Sequence, residues 1–373
     1  MPTADELLSA ATVRTLRDSV ALAAPGSTPT ALRHAAGALD GLGLAERVRL
    51  VRDATLADLP ADWPGFAAVV RTALEQEAFS GWLIWPVGEA VADRALSSGR
   101  TADFDAGLEL LTALTPRLTC EFAIRSFLAA DLDRTLAAVR SWTGRPDAAV
   151  RRLASEGTRP RLPWGRRVRG LLERPGVTLP VLDALYRDPS EDVRRSVANH
   201  LNDVSHATPA LATDAAARWT AAPDAHTPAL VRRALRTLIK QGDPAALLAQ
   251  GFGPPDDIEV TGPVLAADVV EHGGTLSFEA TLRNGGTRPV TLAVDYVVHH
   301  RKANGTTTPK VFKLTTRTLA PGAATTVGRT HSFRPITTRA YHPGEHALEL
   351  QVNGVRSGRR AFLLTGPADP ATG

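Results

Sequence analysis

From about Asp5 to Gln250, apolar residues recur at three- and four-residue spacing in segments of about 10–16 residues. GFAAVVRTALEQ, AGLELLTALT, FAIRSFLAADLDRTLAAVRSW and LPVLDALYRD are examples, separated by Pro, Gly, Asp and Ser. That period predicts amphipathic helices, and no alternating run interrupts them. Near Gly251 the pattern changes. TLSFEATLRN, TLAVDYVVHH, KVFKLTTRTL and HALELQVNG alternate apolar with polar residues, and NGG, ANG, APG and HPGE punctuate them as turns. About seven short strands are expected, which fits an Ig-like sandwich. The sandwich region contains neither tryptophan nor cysteine, so an antibody-type core pin is absent. The chain is therefore read as mainly α: a helical domain over 1–252, a linker over 253–258, a small all-β Ig-like sandwich over 259–366 and a disordered tail over 367–373.

The helical part repeats itself. Asp147-Ala-Ala-Val150-Arg151-Arg152 recurs around Val193-Arg194-Arg195 and around Val231-Arg232-Arg233, at spacings of 43 and 38 residues. That is the period of HEAT-type helix pairs, which stack into an α-solenoid. Equivalent offsets in successive repeats point the same way, so the paired arginines are expected to line one basic stripe. The competing reading is a solvated helix face.

Composition changes this picture modestly. The chain holds 43 Lys/Arg against 39 Asp/Glu, a net charge of +4, but only four of the basic residues are lysines. Arginine bias of this kind also follows from a GC-rich genome. Three of the lysines (Lys302, Lys310 and Lys313) fall in the sandwich region, where 13 Lys/Arg face 7 Asp/Glu and six of the ten histidines lie. His299, His300, Arg301, Lys302 and Lys310 mark a basic strand-and-turn expected to touch DNA. Cys120 is the single cysteine, and no Cys/His array has zinc-ligand spacing, so neither a disulfide nor a metal or other cofactor is expected. No run of about 18 apolar residues occurs, and the early acids of MPTADELLSAATVRTL make a secretory leader unexpected. A cytoplasmic, nucleoid-associated monomer is the expectation, with no membrane partner.

Candidate chemistry gathers at ASEGTRPRLPW. Arg152, Glu156 and Arg159 stand at i, i+4 and i+7 and share a helix face. Arg195, Asn199 and Asp203 occupy comparable offsets in the next repeat, and Arg233 in the third. Glu121 and Arg125 lie at i, i+4 in TCEFAIR, which by itself reads as a helix ion pair. Trp82 and Trp85 precede a proline, and paired tryptophans there are more often core than site. Trp164 differs, because Pro160 and Pro163 force it onto an irregular connection. Carboxylates in a phosphate-binding groove cost affinity, so they need a chemical reason. Cleaving an N-glycosidic bond supplies one: the sugar becomes oxocarbenium-like, and a carboxylate stabilises it or deprotonates water. An alkylated, cationic base then favours a nearby indole.

FSGWLIWPVGEAV, LTPRLTCEFAIRSFL, VRRLASEGTRPRLPW and DVRRSVANHLNDVS resemble the AlkC branch of the bacterial HEAT-like DNA glycosylases over about Trp63 to Phe252. YHPGEHALELQVNG resembles the Ig-like domain of a subset of that branch. The resemblance implies excision of 3-methyladenine and 3-methylcytosine from duplex DNA, without base flipping and without strand cleavage. By motif it assigns catalytic carboxylates to Glu121, Glu156 and Asp203 and lesion contacts to Trp164 and Trp82. It further assigns phosphate contacts to Arg152, Arg159 and Arg161, which Arg195, Asn199 and Arg233 extend. The alternative is a non-catalytic HEAT-plus-Ig module that binds bent DNA or acts as a protein scaffold. LTC stands where the family more usually has LTS, and FSGWLIWP where a WPLWP-like run is usual; neither departure touches the acids.

Overall fold

The computed structural model describes residues 3–335 and 340–366. Its compact units divide between Ala234 and Leu235, ahead of the composition change at Gly251. The helices Arg236–Gln241 and Pro244–Leu248 therefore go with the sandwich. Contacts with the sandwich accompany this, and Gln351 Nε2 donates to the Lys240 carbonyl at 3.4 Å. Gly242 and Gly354 both take positive φ, and a Cβ on Gly242 would meet the Gly354 Cα at 2.7 Å. Only glycine permits that backbone approach. The proposed tail over 367–373 lies outside the described residues.

The first unit is helical. Polar caps start its helices where expected: Asp62 accepts from the Gly65 amide ahead of a proline in the first turn, Asp131 accepts from Arg134, and Asp147 from Ala149. The helices Ala148–Glu156, Glu191–Ser205 and Thr227–Ala234 pack in succession and carry the three copies of the repeated motif. Their motif valines (Val150, Val193 and Val231) are buried. The first arginine of the pair has a structural task. The Arg151 guanidinium donates to the carbonyls of Arg145 and Pro146, and Arg194 donates to those of Asp188 and Pro189. Each clasps the turn before its own helix, five and six residues back. Arg151 also forms a bidentate pair with buried Asp188 at 2.6 and 3.0 Å. The motif's repetition is thus partly a repeated turn clasp, which removes Arg151 and Arg194 from the expected basic stripe.

Among the described residues the second unit holds eight strands: β1 Ile258–Leu265, β2 Val269–Glu271, β3 Thr275–Asn284, β4 Val290–Arg301, β5 Thr307–Leu319, β6 Ala324–Ser332, β7 Gly344–Val352 and β8 Val355–Thr365. They form two sheets, ordered β1-β3-β6 and β2-β8-β7-β4-β5. The strand beyond the expected seven is β2, three residues paired parallel to β8. β3 alternates strictly between exposed and buried residues, as a half-covered strand should, and sends Leu276, Phe278, Ala280 and Leu282 into the core. Tyr296 takes the place of the missing tryptophan pin. Its ring stacks on Phe312 at 5.1 Å, and its hydroxyl sits 3.0 Å from His331 Nδ1.

Candidate active site

Three elements of the helical unit converge on one cluster of charges. Glu121 lies in a turn before the helix Ile124–Ala130, Glu156 is the last residue of Ala148–Glu156, and Asp203 sits in Glu191–Ser205. Arg152 Nη1 donates to Glu121 Oε2 at 3.0 Å, and its Nη2 lies 3.9 Å from Glu156 Oε1. Arg159 spans the other two acids. It donates to Glu156 Oε1 at 2.6 Å and grips Asp203 with Nε and Nη2 at 2.9 and 3.2 Å. The Arg161 amide adds a bond to Asp203 Oδ2 at 3.3 Å. Three carboxylates against two guanidinium groups leave these five side chains with a formal charge of −1. A surface meant only for phosphates would carry the opposite sign.

The engagement of the two glutamates differs. Glu156 is buried and held at both oxygens, by Arg159 at Oε1 and by the Ser196 hydroxyl at Oε2, 2.6 Å away. Burial alone would push its carboxyl up, but Arg159, Ser196 and Arg152 together hold it below the usual carboxylate range. Glu121 takes both of its side-chain bonds on Oε2, from Arg152 and from the Thr119 hydroxyl at 3.1 Å. Among the described residues, its Oε1 has no hydrogen bond.

An aromatic-walled hollow of about 260 Å³ opens beside these acids. Glu121 and Glu156 line it together with Trp82, Trp85, Phe122 and Trp164. Trp85 stacks on Phe122 with ring centroids 4.3 Å apart, and its indole N–H donates to Glu89 at 3.1 Å. Trp85 therefore belongs to the site, contrary to a core-only reading of FSGWLIWP. Trp164 is 71% exposed and has φ of 62°. A bulky residue in the left-handed region between a proline and a glycine is an uncommon conformation, kept here on an indole that faces outward.

Arg125 explains the loop's shape. It does not pair with Glu121, as an i, i+4 helix reading would have it, because Glu121 lies in the turn ahead of the helix. Its fully buried guanidinium instead donates to three carbonyls: Nε to Arg166 at 2.6 Å, and Nη1 to Gly157 and Arg159 at 3.0 and 2.9 Å. Burial, with Arg167, Arg166 and Arg159 nearby, pushes it down to about 10, so it stays charged at neutral pH. One side chain thus ties both ends of the segment that presents Arg159, Arg161 and Trp164. Behind Glu156, His200 Nδ1 meets the Ser155 carbonyl at 2.8 Å and Nε2 meets the Thr178 hydroxyl at 3.0 Å. Burial takes this imidazole down to about 4, so it is neutral at pH 7.

Several sequence expectations need correction. Arg159 is buried between two carboxylates, so it is a charge clamp and has no free face for phosphate. Asp203 does not share a face with Arg195 and Asn199. It aligns with Ser196 and His200 at i, i+4 and i+7, all three buried, while Arg195 and Asn199 turn outward. Arg195 pairs with Asp192 of its own helix, and Arg233 reaches Asn199 only at 3.5 Å. Arg195 and Arg233 do line a separate hollow. Among the described residues, only Arg161 of the three arginines near Glu156 has a guanidinium without a protein partner. In the second unit His299 is buried against Glu349 at 2.9 Å, and His300 is buried among Tyr341 and Phe333 rather than at a turn tip. Arg301, Lys302 and Lys310 do come together, with Lys240 and Arg356, around a hollow of about 640 Å³.

The comparisons match these two parts of the chain. Residues 259–366 fit the family model described as "Uncharacterised protein YhaZ, C-terminal Ig-like domain". The uncharacterized protein YhaZ of Bacillus subtilis is 33% identical over 314 residues, covering 84% of this chain and 85% of that one. A solved structure of the Pseudomonas fluorescens alkylpurine DNA glycosylase AlkC, bound to DNA containing an abasic site analog, is 32% identical with a TM-score of 0.83. It covers 98% of this chain and 100% of that one. The chain belongs to the AlkC/YhaZ family. The AlkC/YhaZ family model covers the Ig-like unit, and the AlkC structure spans the helical unit as well.

Proposed function

We propose that this chain is a monofunctional DNA glycosylase built on HEAT-like repeats, excising cationic N3-alkylated bases such as 3-methyladenine and 3-methylcytosine from duplex DNA. The observation that carries the reading is the excess of carboxylate over guanidinium beside a hollow walled by indoles. A cationic base gains from the indole faces, and the sugar it leaves gains from the acids. Because the base already carries positive charge, it departs without a general acid. Glu156, locked at both oxygens and ionised, is the electrostatic partner of the oxocarbenium-like sugar. Glu121, with one oxygen uncommitted, is the base that takes a proton from the attacking water. Asp203 keeps Arg159 oriented and adds negative charge.

Strand cleavage by a Schiff base uses an amine nucleophile, commonly a lysine, near the sugar. The sequence has no lysine before Lys240, so hydrolysis that leaves an abasic site is the chemistry the helical unit supports. An open site of this kind reaches the deoxyribose from the backbone side and needs no flipped base. Arg161 and the hollow formed by Arg301, Lys302 and Lys310 are the phosphate contacts. DNA bound to the AlkC relative supports DNA as the partner.

Incubation with methylated duplex DNA, followed by chromatography of the released bases, tests the reading. 3-Methyladenine and 3-methylcytosine should appear, with the strands intact until alkali is added. Release of neither base would overturn the assignment.

A further inference from the structure

We infer that Ser196 is a positioning residue that fixes and charges Glu156 by donating its hydroxyl proton to Oε2. The inference rests on the assignment of Glu156 to the reacting sugar. Ser196 is buried in the helix Glu191–Ser205, and its oxygen lies 2.6 Å from Glu156 Oε2 and 3.0 Å from the Ser155 hydroxyl. A hydroxyl has one proton, and an ionised carboxylate is acceptor-only, so the shorter contact takes it. A protonated Glu156 offers no such anion, and the bond therefore favours the charged form.

The rest of that helix face serves the same end. His200, one turn on from Ser196, meets the Ser155 carbonyl, and Asp203, nearly a turn further, holds Arg159 against Oε1 of the same carboxylate. Three residues at i, i+4 and i+7 thus fix the backbone beside Glu156, one oxygen of its carboxylate directly and the other through an arginine. The remaining charges around Glu156 are Arg152 and Arg159 from its own segment, Glu121 across Arg152, Asp203 across Arg159, and the neutral His200 behind Ser155. None of them hydrogen-bonds Oε2, so Ser196 is the group whose loss frees that oxygen.

The test compares wild type with Ser196→Ala. The Glu156 carboxylate is followed by carbon-13 NMR, its signal identified by its absence in Glu156→Gln. Single-turnover release of 3-methyladenine is measured from pH 4 to pH 8. In Ser196→Ala the carboxylate should titrate at higher pH, and the acid limb of the rate profile should move up with it. The plateau rate should fall about tenfold, the scale of one bond to a charged group, while affinity for abasic-analogue DNA stays within about twofold. If Ser196→Ala fails to fold, Ser196→Cys, a weak donor of similar shape, should shift the titration in the same direction. An unchanged titration overturns the inference, as does a slower rate without any movement of the acid limb. If wild type releases no base, the enzymatic reading fails, and the titration alone still decides Ser196.

Discussion

Glu156→Gln should lower the single-turnover rate of base release by roughly a hundredfold to a thousandfold, the range for removing one preorganised charge partner of a transition state. The substitution keeps the side chain's shape and removes its charge. Gln also brings an amide NH2 among Arg159, Arg152 and Ser196, all donors, so the cluster loses a mutual acceptor as well as an anion. Affinity for DNA with a neutral abasic analogue should hold or rise, because a negative charge has left a phosphate-facing surface. Glu121→Gln should be separable from it. Loss of a general base costs about a hundredfold to ten-thousandfold, and Glu121 makes one ion pair where Glu156 makes two, so its substitution should disturb stability less. A Glu156→Gln variant with wild-type rate would remove the acid cluster from the chemistry.

Arg159→Ala carries the largest expected effect on stability. Arg159 is buried, as are Glu156 and Asp203, and it is the link between them. Removing one member of a buried charge group leaves the others uncompensated, which costs about 3–5 kcal/mol. For a unit of this size that is a fall in Tm on the order of 10 °C. The pH dependence has a defined sign. In wild type the Glu156 carboxyl is held below its ordinary value of 4.5, so its stabilising contribution is complete above that pH and fades as pH falls through the lowered folded value. Without Arg159 the carboxyl rises, and the penalty is greatest at neutral pH and narrows on acidification. Asp203→Asn in the same background should restore part of the loss by removing one of the two unpaired charges. Thermal unfolding at pH 7 and pH 4.5 reads this directly, and an equal deficit at both would contradict the clamp.

Much of the architecture was legible in the hydrophobic pattern. The switch from helical spacing to alternation near Gly251 marks where strands begin, because burial on one stripe and burial on one face leave different periods. The unit boundary was not legible in that way. It goes with contacts such as the Gly242–Gly354 approach and the Gln351–Lys240 bond, between residues more than a hundred positions apart, that no local pattern announces. The acids Glu121, Glu156 and Asp203 were legible as motif positions and do converge. Spacing alone misplaced their partners: counting from Arg195 put Asp203 in one basic groove with Arg195 and Asn199, whereas counting from Ser196 puts it on the buried face with His200. A one-residue phase error turns a helix by about 100°, enough to hide Ser196 and His200, whereas Arg159 lies past the helix end at Glu156, where helical counting does not hold. Arg125 escaped for another reason. Its partners are backbone carbonyls of Gly157, Arg159 and Arg166, which leave no trace in side-chain composition.

An acid cluster of this charge should be complementary to a cationic sugar. Duplexes carrying a cationic pyrrolidine or a neutral tetrahydrofuran at the abasic position differ in that charge at the sugar, and their affinities can be measured side by side. Wild type should bind the pyrrolidine duplex at least about tenfold more tightly, one ion-pair increment in a water-poor site, and Glu156→Gln should lose most of that preference. Equal affinity of wild type for the two duplexes would contradict the account.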